Sequence, residues 1–239
     1  MSDSAQHLRK LLSFFFQAHP WHGISAQPAG RGDDGIFQAY VELTPTDGVK
    51  YEVDKATGHI RVDRPQKYSN LCPTLYGFIP RTYCGHEVGK FCDRQTGRQG
   101  VMGDGDPIDI CVLTEKPIAN VGILVNARPI GGLRMIDDNS ADDKIVAVLE
   151  NDLTYGHIRS IKELPTAMVS RLRQYFLTYK LSPDEPSPPV EVTHVYDVDE
   201  AMEVIALSRQ DYHTEFHAIQ DDAVRFLHTL AETVRPSKA

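Results

Sequence analysis

The residues Asp104-Gly105-Asp106-Pro107-Ile108-Asp109 lead directly into the apolar run Ile110-Cys111-Val112-Leu113. Successive residues of a strand face opposite sides, so a regular strand would place the first two carboxylates on one face and the third on the other. Gly105 and Pro107 allow the backbone to turn, and all three carboxylates can then converge at the strand entrance. Converging negative charges require a counter-charge, so this stretch predicts a cation site at the start of a buried strand.

A second acidic group lies between two further apolar runs. The residues Asp137-Asp138-Asn139-Ser140-Ala141-Asp142-Asp143-Lys144 separate the run that ends at Ile136 from the run that starts at Ile145. Carboxylate oxygens on loops are hard ligands, which favour Mg²⁺, Mn²⁺ or Ca²⁺ over zinc. Either group alone is also typical of a solvated turn, because Asp, Gly and Pro are common turn residues.

Short β-like runs, broken by turn residues, surround both acidic groups. They cover residues 37–43, 50–53, 60–62, 108–113, 121–125, 133–136 and 145–148. Several short strands at this spacing are typical of a barrel. Further along, apolar residues recur at steps of three and four from Met168 to Tyr179, which predicts a helix preceded by Pro165.

The two ends of the chain differ from this strand-rich body. We expect an N-terminal extension over residues 1–35, a body over 36–181, and a C-terminal linker with helices packed on the same body over 182–239. The proline-rich residues 182–189 predict an irregular connection, and two helices are predicted at about 198–208 and 212–234. In the extension, helical spacing of apolar residues predicts one amphipathic helix, carried by Leu8, Leu11, Leu12, Phe15 and Phe16.

The composition excludes several classes of protein. The chain has 239 residues, of which 41% are hydrophobic and 24% charged, so it is not disordered throughout, collagen-like or a disulfide scaffold. The net charge of −8 repels nucleic-acid phosphates and anionic membranes. Four cysteines without framework spacing favour reduced thiols, and no apolar stretch approaches the ~20 residues that span a bilayer. We therefore expect a cytoplasmic protein without nucleic-acid or membrane partners.

An ordered set of motifs between residues 36 and 181 resembles the soluble inorganic pyrophosphatases of the Mg-dependent, barrel-fold family (family I). The pieces are Glu42, Lys50-Tyr51-Glu52-Val53-Asp54-Lys55, Val62-Asp63-Arg64, Tyr76-Gly77-Phe78-Ile79-Pro80, Asp104 to Asp109, Asp137 to Lys144, and Tyr179-Lys180. Seven pieces in one order are far more specific than a single motif. The resemblance implies a mainly β fold with helices (α+β), in which helices flank a five-stranded OB-like barrel.

The resemblance also implies roles for individual side chains. Metal ligands would be Asp104, Asp109, Asp137 and Asp142, with Glu42 and Glu52 as auxiliary carboxylates for the metal or its water shell. Asp106 would be the catalytic general base. The substrate would be bound by Lys50, Arg64, Tyr76, Lys144, Tyr179 and Lys180. The family pattern further implies several Mg²⁺ ions per site, which Mn²⁺ or Zn²⁺ can replace, and a homo-oligomer.

Charge arithmetic on these residues supports a cation-dependent reaction. Seven carboxylates against four cations leave the predicted site at −3, which would repel a polyanion. Several divalent cations reverse that sign. We therefore expect hydrolysis of inorganic diphosphate to two orthophosphates by a metal-activated water that attacks in line and passes its proton to Asp106.

Two alternatives of different kinds remain open. One is a Mg-dependent hydrolase of nucleoside or longer polyphosphates, and the other is a non-catalytic barrel that binds single-stranded nucleic acid or a protein. The sequence also departs from the family pattern, because Cys72 stands where many relatives have tyrosine. The long segment 84–103 contains Cys84, His86 and Cys92, which lack a fourth ligand and a familiar spacing for zinc, so we expect a structured or lid-like loop there.

Overall fold

Five strands close into a ring at the centre of the molecule. The computed structural model describes residues 17–31, 34–181 and 190–233. In chain order its strands are β1 (Phe37–Leu43), β2 (Val49–Val53), β3 (Ile60–Pro65), β4 (Leu75–Phe78), β5 (Met102–Gly103), β6 (Asp109–Leu113), β7 (Ile123–Asp137), β8 (Ser140–Ala141), β9 (Lys144–Leu149) and β10 (Val190–Asp197). Pairing runs in the order β1-β4-β6-β9-β7, and β7 pairs back to β1. The predicted five-stranded ring is confirmed, although it is not evenly barrel-shaped.

Helices pack outside the ring. They are α1 (His86–Thr96), α2 (Thr166–Thr178) and α3 (Val198–Thr233), and a short 3-10 turn covers Ile161–Glu163. Strands β6 and β9 pair in parallel, whereas the other four contacts of the ring are antiparallel. The hairpin of β2 and β3 forms a separate two-stranded sheet. Where β4 crosses β1, a Cβ at Gly77 would overlap the carbonyl oxygen of Tyr40, so this close approach requires glycine.

Apolar side chains are buried on both faces of the ring. Ile110, Ala127 and Ala147 belong to a core cluster that also contacts α1 and α3, whereas Cys111 and Val146 belong to a second cluster beneath α2. Neighbouring positions on one strand thus enter different clusters, as the two-residue period of a strand requires. Burial on both faces explains why the central strands are nearly continuous apolar runs.

Strand β7 differs from the prediction. Residues 121–125 and 133–136 were expected to form two strands, but residues 123–125 and 133–136 belong to the one strand Ile123–Asp137, and residues 121–122 precede it. The residues between them remain in the sheet because the register shifts between Pro129 and Gly131, and such a bulge tolerates proline. At Gly132 a Cβ would overlap the ring of Tyr196, so the glycine makes room for β10 rather than for a turn.

The prediction of two C-terminal helices is wrong within the described residues. Residues 198–233 form the single helix α3, and residue 234 lies outside the described part. Two polar residues near the predicted break have partners that are compatible with a continuous helix. The Ser208 hydroxyl donates to the carbonyl of Ile205 within α3, and the Asp211 carboxylate accepts the backbone N–H groups of Gly85, Glu87 and Val88. Asp211 therefore caps the start of α1 from another helix.

The segment 84–103 contains a helix rather than a loop alone. Cys84 and Cys92 are buried thiols, whereas the His86 side chain at the start of α1 is exposed. Strands β4 and β10 were not predicted, and β10 pairs with β7 over residues 190–197. The predicted N-terminal helix at 8–16 and the connection 182–189 lie outside the described residues. The division into extension, body and C-terminal segment stays a prediction. Among the described helices, none has the combination of length and hydropathy that a bilayer crossing requires.

Candidate active site

The acidic stretch at 104–109 forms a turn and the first residue of β6. Gly105 has a φ of 78°, in the left-handed region that glycine tolerates, as the sequence suggested. The backbone N–H of Asp106 donates to Asp104 Oδ1 at 3.0 Å. The Cys84 N–H donates to the carbonyl of Asp106 at 2.7 Å, and the Gly105 N–H donates to the carbonyl of Cys84 at 3.0 Å. The segment that precedes α1 therefore holds this acidic turn in place.

Strand register brings the two acidic groups together. Asp109 on β6 lies directly opposite Lys144 on β9, and Asp142 is two residues before Lys144. The Lys144 side chain is 2% exposed, and its ammonium contacts both the Asp109 and the Asp142 carboxylates. Burial lowers the pKa of Lys144, but the two carboxylates outweigh it, so the pKa lies well above its usual value. This buried lysine is therefore a fixed positive charge.

The second acidic group is a tight hairpin. Asp138 and Asn139 have φ values of 46° and 63°, which is the left-handed pair that a two-residue hairpin turn uses. Asp137 closes β7 before this turn, and its carboxylate pairs with the ammonium of Lys180 just beyond α2. The turn therefore directs Asp137 towards the end of α2.

Aromatic rings support the cations on this side of the site. We call Tyr76, Lys144, Phe176, Tyr179 and Lys180 the clamp side. The Tyr76 hydroxyl donates to Asp109 Oδ2 at 2.6 Å. The Lys144 ammonium lies 5.6 Å from the ring centre of Phe176, and that of Lys180 lies 5.4 Å from the ring centre of Tyr179. Burial raises the pKa of both tyrosines, so their hydroxyls remain proton donors at neutral pH.

The β2–β3 hairpin adds two more cations. Lys50 and Arg64 are register partners, and both contact Asp63, with Lys50 Nζ 3.1 Å from Asp63 Oδ2. Lys50 Nζ also lies 3.8 Å from a carboxylate oxygen of Glu52. Glu42 on β1 is buried and accepts the Val53 N–H at 2.6 Å, which joins β1 to β2. Burial raises the pKa of Glu42 to about 8.

All thirteen side chains named from the sequence line one pocket of about 410 Å³. They are Glu42, Lys50, Glu52, Arg64, Tyr76, Asp104, Asp106, Asp109, Asp137, Asp142, Lys144, Tyr179 and Lys180. A volume of this size is typical of small-ligand sites. The placement is a structural fact, whereas the role of each residue stays a prediction.

Sequence reasoning missed several residues of the pocket lining. The Lys55 ammonium contacts the Asp106 carboxylate, and Trp21, Asp138 and Ser140 also line the cavity. Lys55 follows the end of β2, where strand alternation no longer predicts a direction. Only its place in the motif that contains Lys50 and Glu52 could have suggested it. With Lys55 and Asp138 included, the pocket has eight carboxylates and five cations, a formal charge of −3.

The donor set fits a hard divalent cation. Within residues 17–31, 34–181 and 190–233, no three carboxylate, histidine or cysteine side chains already surround a common point, and lysines pair with five of the pocket carboxylates. Burial together with neighbouring carboxylates raises the pKa of both Asp104 and Asp142. A bound divalent cation would offset this repulsion, so buried carboxyl groups of this kind suit a metal site.

Three comparisons with known proteins agree. The family model described as inorganic pyrophosphatase matches residues 39–213. An inorganic pyrophosphatase of Chlamydia trachomatis serovar L2 is 50% identical over 199 residues, which is 82% of this chain and 94% of that protein. A soluble inorganic pyrophosphatase of Oryza sativa subsp. indica is 37% identical over 82% of this chain and 79% of that protein. The crystal structure of the inorganic pyrophosphatase from Thermus thermophilus matches with a TM-score of 0.65 and 28% identity, over 79% of this chain and 97% of that chain. This likeness, with the closed ring, confirms the predicted OB-like fold.

Proposed function

Because the chain belongs to the inorganic pyrophosphatase family, we propose that it hydrolyses inorganic diphosphate to two orthophosphates in the pocket described above. The observation that supports this site is the convergence of eight carboxylates and five cations on one cavity. Clustered carboxylates suit divalent cations, and the cations beside them suit phosphoryl oxygens. A substrate with two phosphoryl groups can contact both the metal ions held by the carboxylates and the cationic side chains of the same pocket.

The metal would be held by the acidic residues. Members of this family are metal-dependent, and we propose Mg²⁺ as the ion, with Mn²⁺ or Zn²⁺ as possible replacements. Its ligands would be Asp104, Asp109, Asp137 and Asp142, with Glu42 and Glu52 contacting the metal or its water shell. Bound divalent cations supply the positive charge that the polyanion needs and lower the pKa of water.

The chain's own side chains perform the remaining tasks. Asp106 is 40% exposed towards the pocket and would accept the proton of the attacking water, with Lys55 in contact with its carboxylate. Lys50 and Arg64 would bind phosphoryl oxygens from the β2–β3 hairpin, Arg64 through two parallel N–H donors. On the clamp side, Tyr76, Tyr179, Lys144 and Lys180 would stabilise charge on the departing phosphate. The reaction then needs no covalent intermediate with the enzyme.

The direct test is phosphate release from diphosphate with and without Mg²⁺. We expect hydrolysis by the unaltered chain only when Mg²⁺ is present. Asp106→Asn should lower turnover about 10²- to 10⁴-fold, because the general base is lost, while calorimetry still detects binding of Mg²⁺ and diphosphate. Asp222→Asn, at an exposed position on α3, is the control and should retain full turnover. Unchanged turnover in Asp106→Asn would refute the assigned base.

The same assay separates the alternatives. A preference for ATP or tripolyphosphate over diphosphate would favour the broader polyphosphate hydrolase, and no release from any of them would favour a binding module. We also propose that the protein is cytoplasmic and a homo-oligomer. Light scattering of the purified chain tests the oligomer, and a monomeric mass would contradict it.

A further inference from the structure

One part of the pocket wall is apolar. Trp21, Val53 and Phe78 line the cavity and belong to one buried cluster, which also contains Tyr40 and Tyr212. We call Trp21, Val53 and Phe78 the aromatic wall. Trp21 lies outside residues 39–213, so it is not part of the stretch that the family model matches. The segment N-terminal to that stretch therefore supplies part of the pocket.

Trp21 is held in one orientation. Its indole N–H donates to the carbonyl of Thr82 at 2.7 Å, and its own carbonyl accepts the Arg81 N–H at 2.9 Å. Its ring stacks on His22 with centroids 4.5 Å apart and meets the Phe216 ring edge-on at 5.4 Å. The residue is 5% exposed. A large ring that is fixed by two backbone contacts and two aromatic neighbours forms a rigid boundary.

The segment that carries Trp21 is linked to the acidic turn through two intermediate residues, Lys55 and Thr82. His19 Nε2 donates to the carbonyl of Lys55 at 3.2 Å, and the Lys55 ammonium contacts Asp106. Thr82, whose carbonyl accepts the Trp21 indole N–H, also accepts the Ile108 N–H through its hydroxyl at 3.0 Å. The aromatic wall is therefore positioned relative to the proposed base through two short chains of contacts.

The aromatic wall carries no charge of its own. Lys144 and Lys180 lie over the rings of the clamp side, and Lys50 and Arg64 lie on the β2–β3 hairpin. A phosphoryl group placed against Trp21 would lose water without gaining a cation or a donor from the ring, because the indole N–H is already bonded to Thr82. Such desolvation of a charged group is strongly unfavourable.

We propose that Trp21 determines specificity by limiting the site to two phosphoryl groups, so that the third group of tripolyphosphate is excluded. This rests on the proposed diphosphatase function, which supplies the reference substrate. Trp21 acts here through its size and the apolar ring surface that it presents to the cavity, and it takes no part in proton transfer.

The test compares kcat/KM for tripolyphosphate with kcat/KM for diphosphate in the presence of Mg²⁺. Trp21→Ala should raise this ratio about tenfold, because the cavity gains space and water at the wall. Trp21→Phe keeps a ring and should raise it by less. Phe37→Leu removes a buried ring that does not line the pocket, and it should leave the ratio unchanged. A ratio in Trp21→Ala equal to that of the unaltered enzyme would overturn the proposal.

A second measurement covers the case in which Trp21→Ala does not fold. Trp21 is the single tryptophan of the chain, so tryptophan fluorescence of the unaltered protein reports on the surroundings of this side chain in the aromatic wall. Binding of imidodiphosphate with Mg²⁺ should shift the emission. An unshifted emission, with occupancy shown by calorimetry, would overturn the placement of Trp21 beside the substrate.

Failure of the diphosphatase function remains distinguishable from failure of this inference. If the unaltered chain hydrolyses neither compound, calorimetric affinities of Trp21→Phe for tripolyphosphate and diphosphate replace the kinetic ratio. If Trp21→Phe binds tripolyphosphate more tightly, relative to diphosphate, than the unaltered chain does, the specificity role of Trp21 is supported although the proposed function has failed. An unchanged relative affinity would overturn the role of Trp21 as well.

Discussion

The clamp side and the aromatic wall face one pocket and are both built on aromatic rings, yet they offer a phosphate opposite environments. On the clamp side, the buried ammonium of Lys144 and the partly exposed ammonium of Lys180 lie over the rings of Phe176 and Tyr179 and pair with carboxylates. On the aromatic wall, Trp21 and Phe78 carry no such charge. From this difference we infer that rings help to bind an anion where they hold a cation, whereas rings without a cation exclude water.

Removal of the buried positive charge of Lys144 should have the largest effect on the difference between the two sides. Lys144→Met leaves Asp109 and Asp142 without their ammonium partner, and loss of one member of a buried pair costs about 3–5 kcal/mol. We expect a loss of that size in the free energy of unfolding, measured in urea, and a fall in kcat/KM for diphosphate of at least about a hundredfold. Lys162→Met, in an exposed pair with Asp197, is the control. Wild-type kinetics in Lys144→Met would contradict the clamp.

Removing one hydroxyl tests whether the clamp side acts through donors as well as through charge. Tyr76→Phe keeps the ring but loses the 2.6 Å hydrogen bond to Asp109. Since hydrogen bonds to charged groups contribute about 1.5–3 kcal/mol, kcat should fall about 10- to 100-fold. Tyr40→Phe, a buried tyrosine that does not line the pocket, should change kcat little. Equal kcat values for the two variants would show that the Tyr76 hydroxyl is dispensable.

Lys55 lines the pocket but belongs to neither side, and its removal should have a smaller effect. Its pair with Asp106 is about half exposed, so Lys55→Met should leave the melting temperature nearly unchanged. Loss of one positive charge at the pocket should raise KM for diphosphate about fivefold and weaken its dependence on ionic strength. Lys116→Met, at an exposed position outside the pocket lining, is the control. If KM does not change, Lys55 is not part of the binding site.

A lower pH should slightly reduce the stability of the protein through His22, which stacks on Trp21 of the aromatic wall. Burial, with the positive charges of His19 and Arg81, lowers the pKa of His22 from 6.5 to about 4. The folded state therefore takes up this proton only at lower pH than the unfolded state, so the stability contribution is present above 6.5 and is lost as the pH falls towards 4. Calorimetry at pH 7 and pH 5 should show a drop in melting temperature that is a few degrees smaller in His22→Phe. Exposed His157→Phe should behave like the unaltered chain, and an identical drop in all three proteins would refute this role.

Much of the fold and site could be predicted because the signals are local. Short β-like runs bounded by turn residues predicted β1, β2, β3, β6 and β9, and the spacing after Pro165 predicted α2 within one residue of its observed end. Other elements were missed because a tertiary contact replaces the local signal. Proline in β7 is accommodated by a bulge, and Asp211 in α3 is stabilised by the backbone of α1 rather than by a turn.

The residue types of the pocket were determined by the sequence itself, since the chemistry of a carboxylate, a lysine or a glycine turn is a property of a few neighbouring residues. Tertiary structure alone decided which of them meet. Asp109 lies opposite Lys144 only because β6 and β9 pair in parallel, and Trp21 reaches the cavity through a hydrogen bond to a residue 61 positions away. Contacts over such separations depend on the closure of the ring and on the packing of α3, and no short stretch of chain encodes either of them.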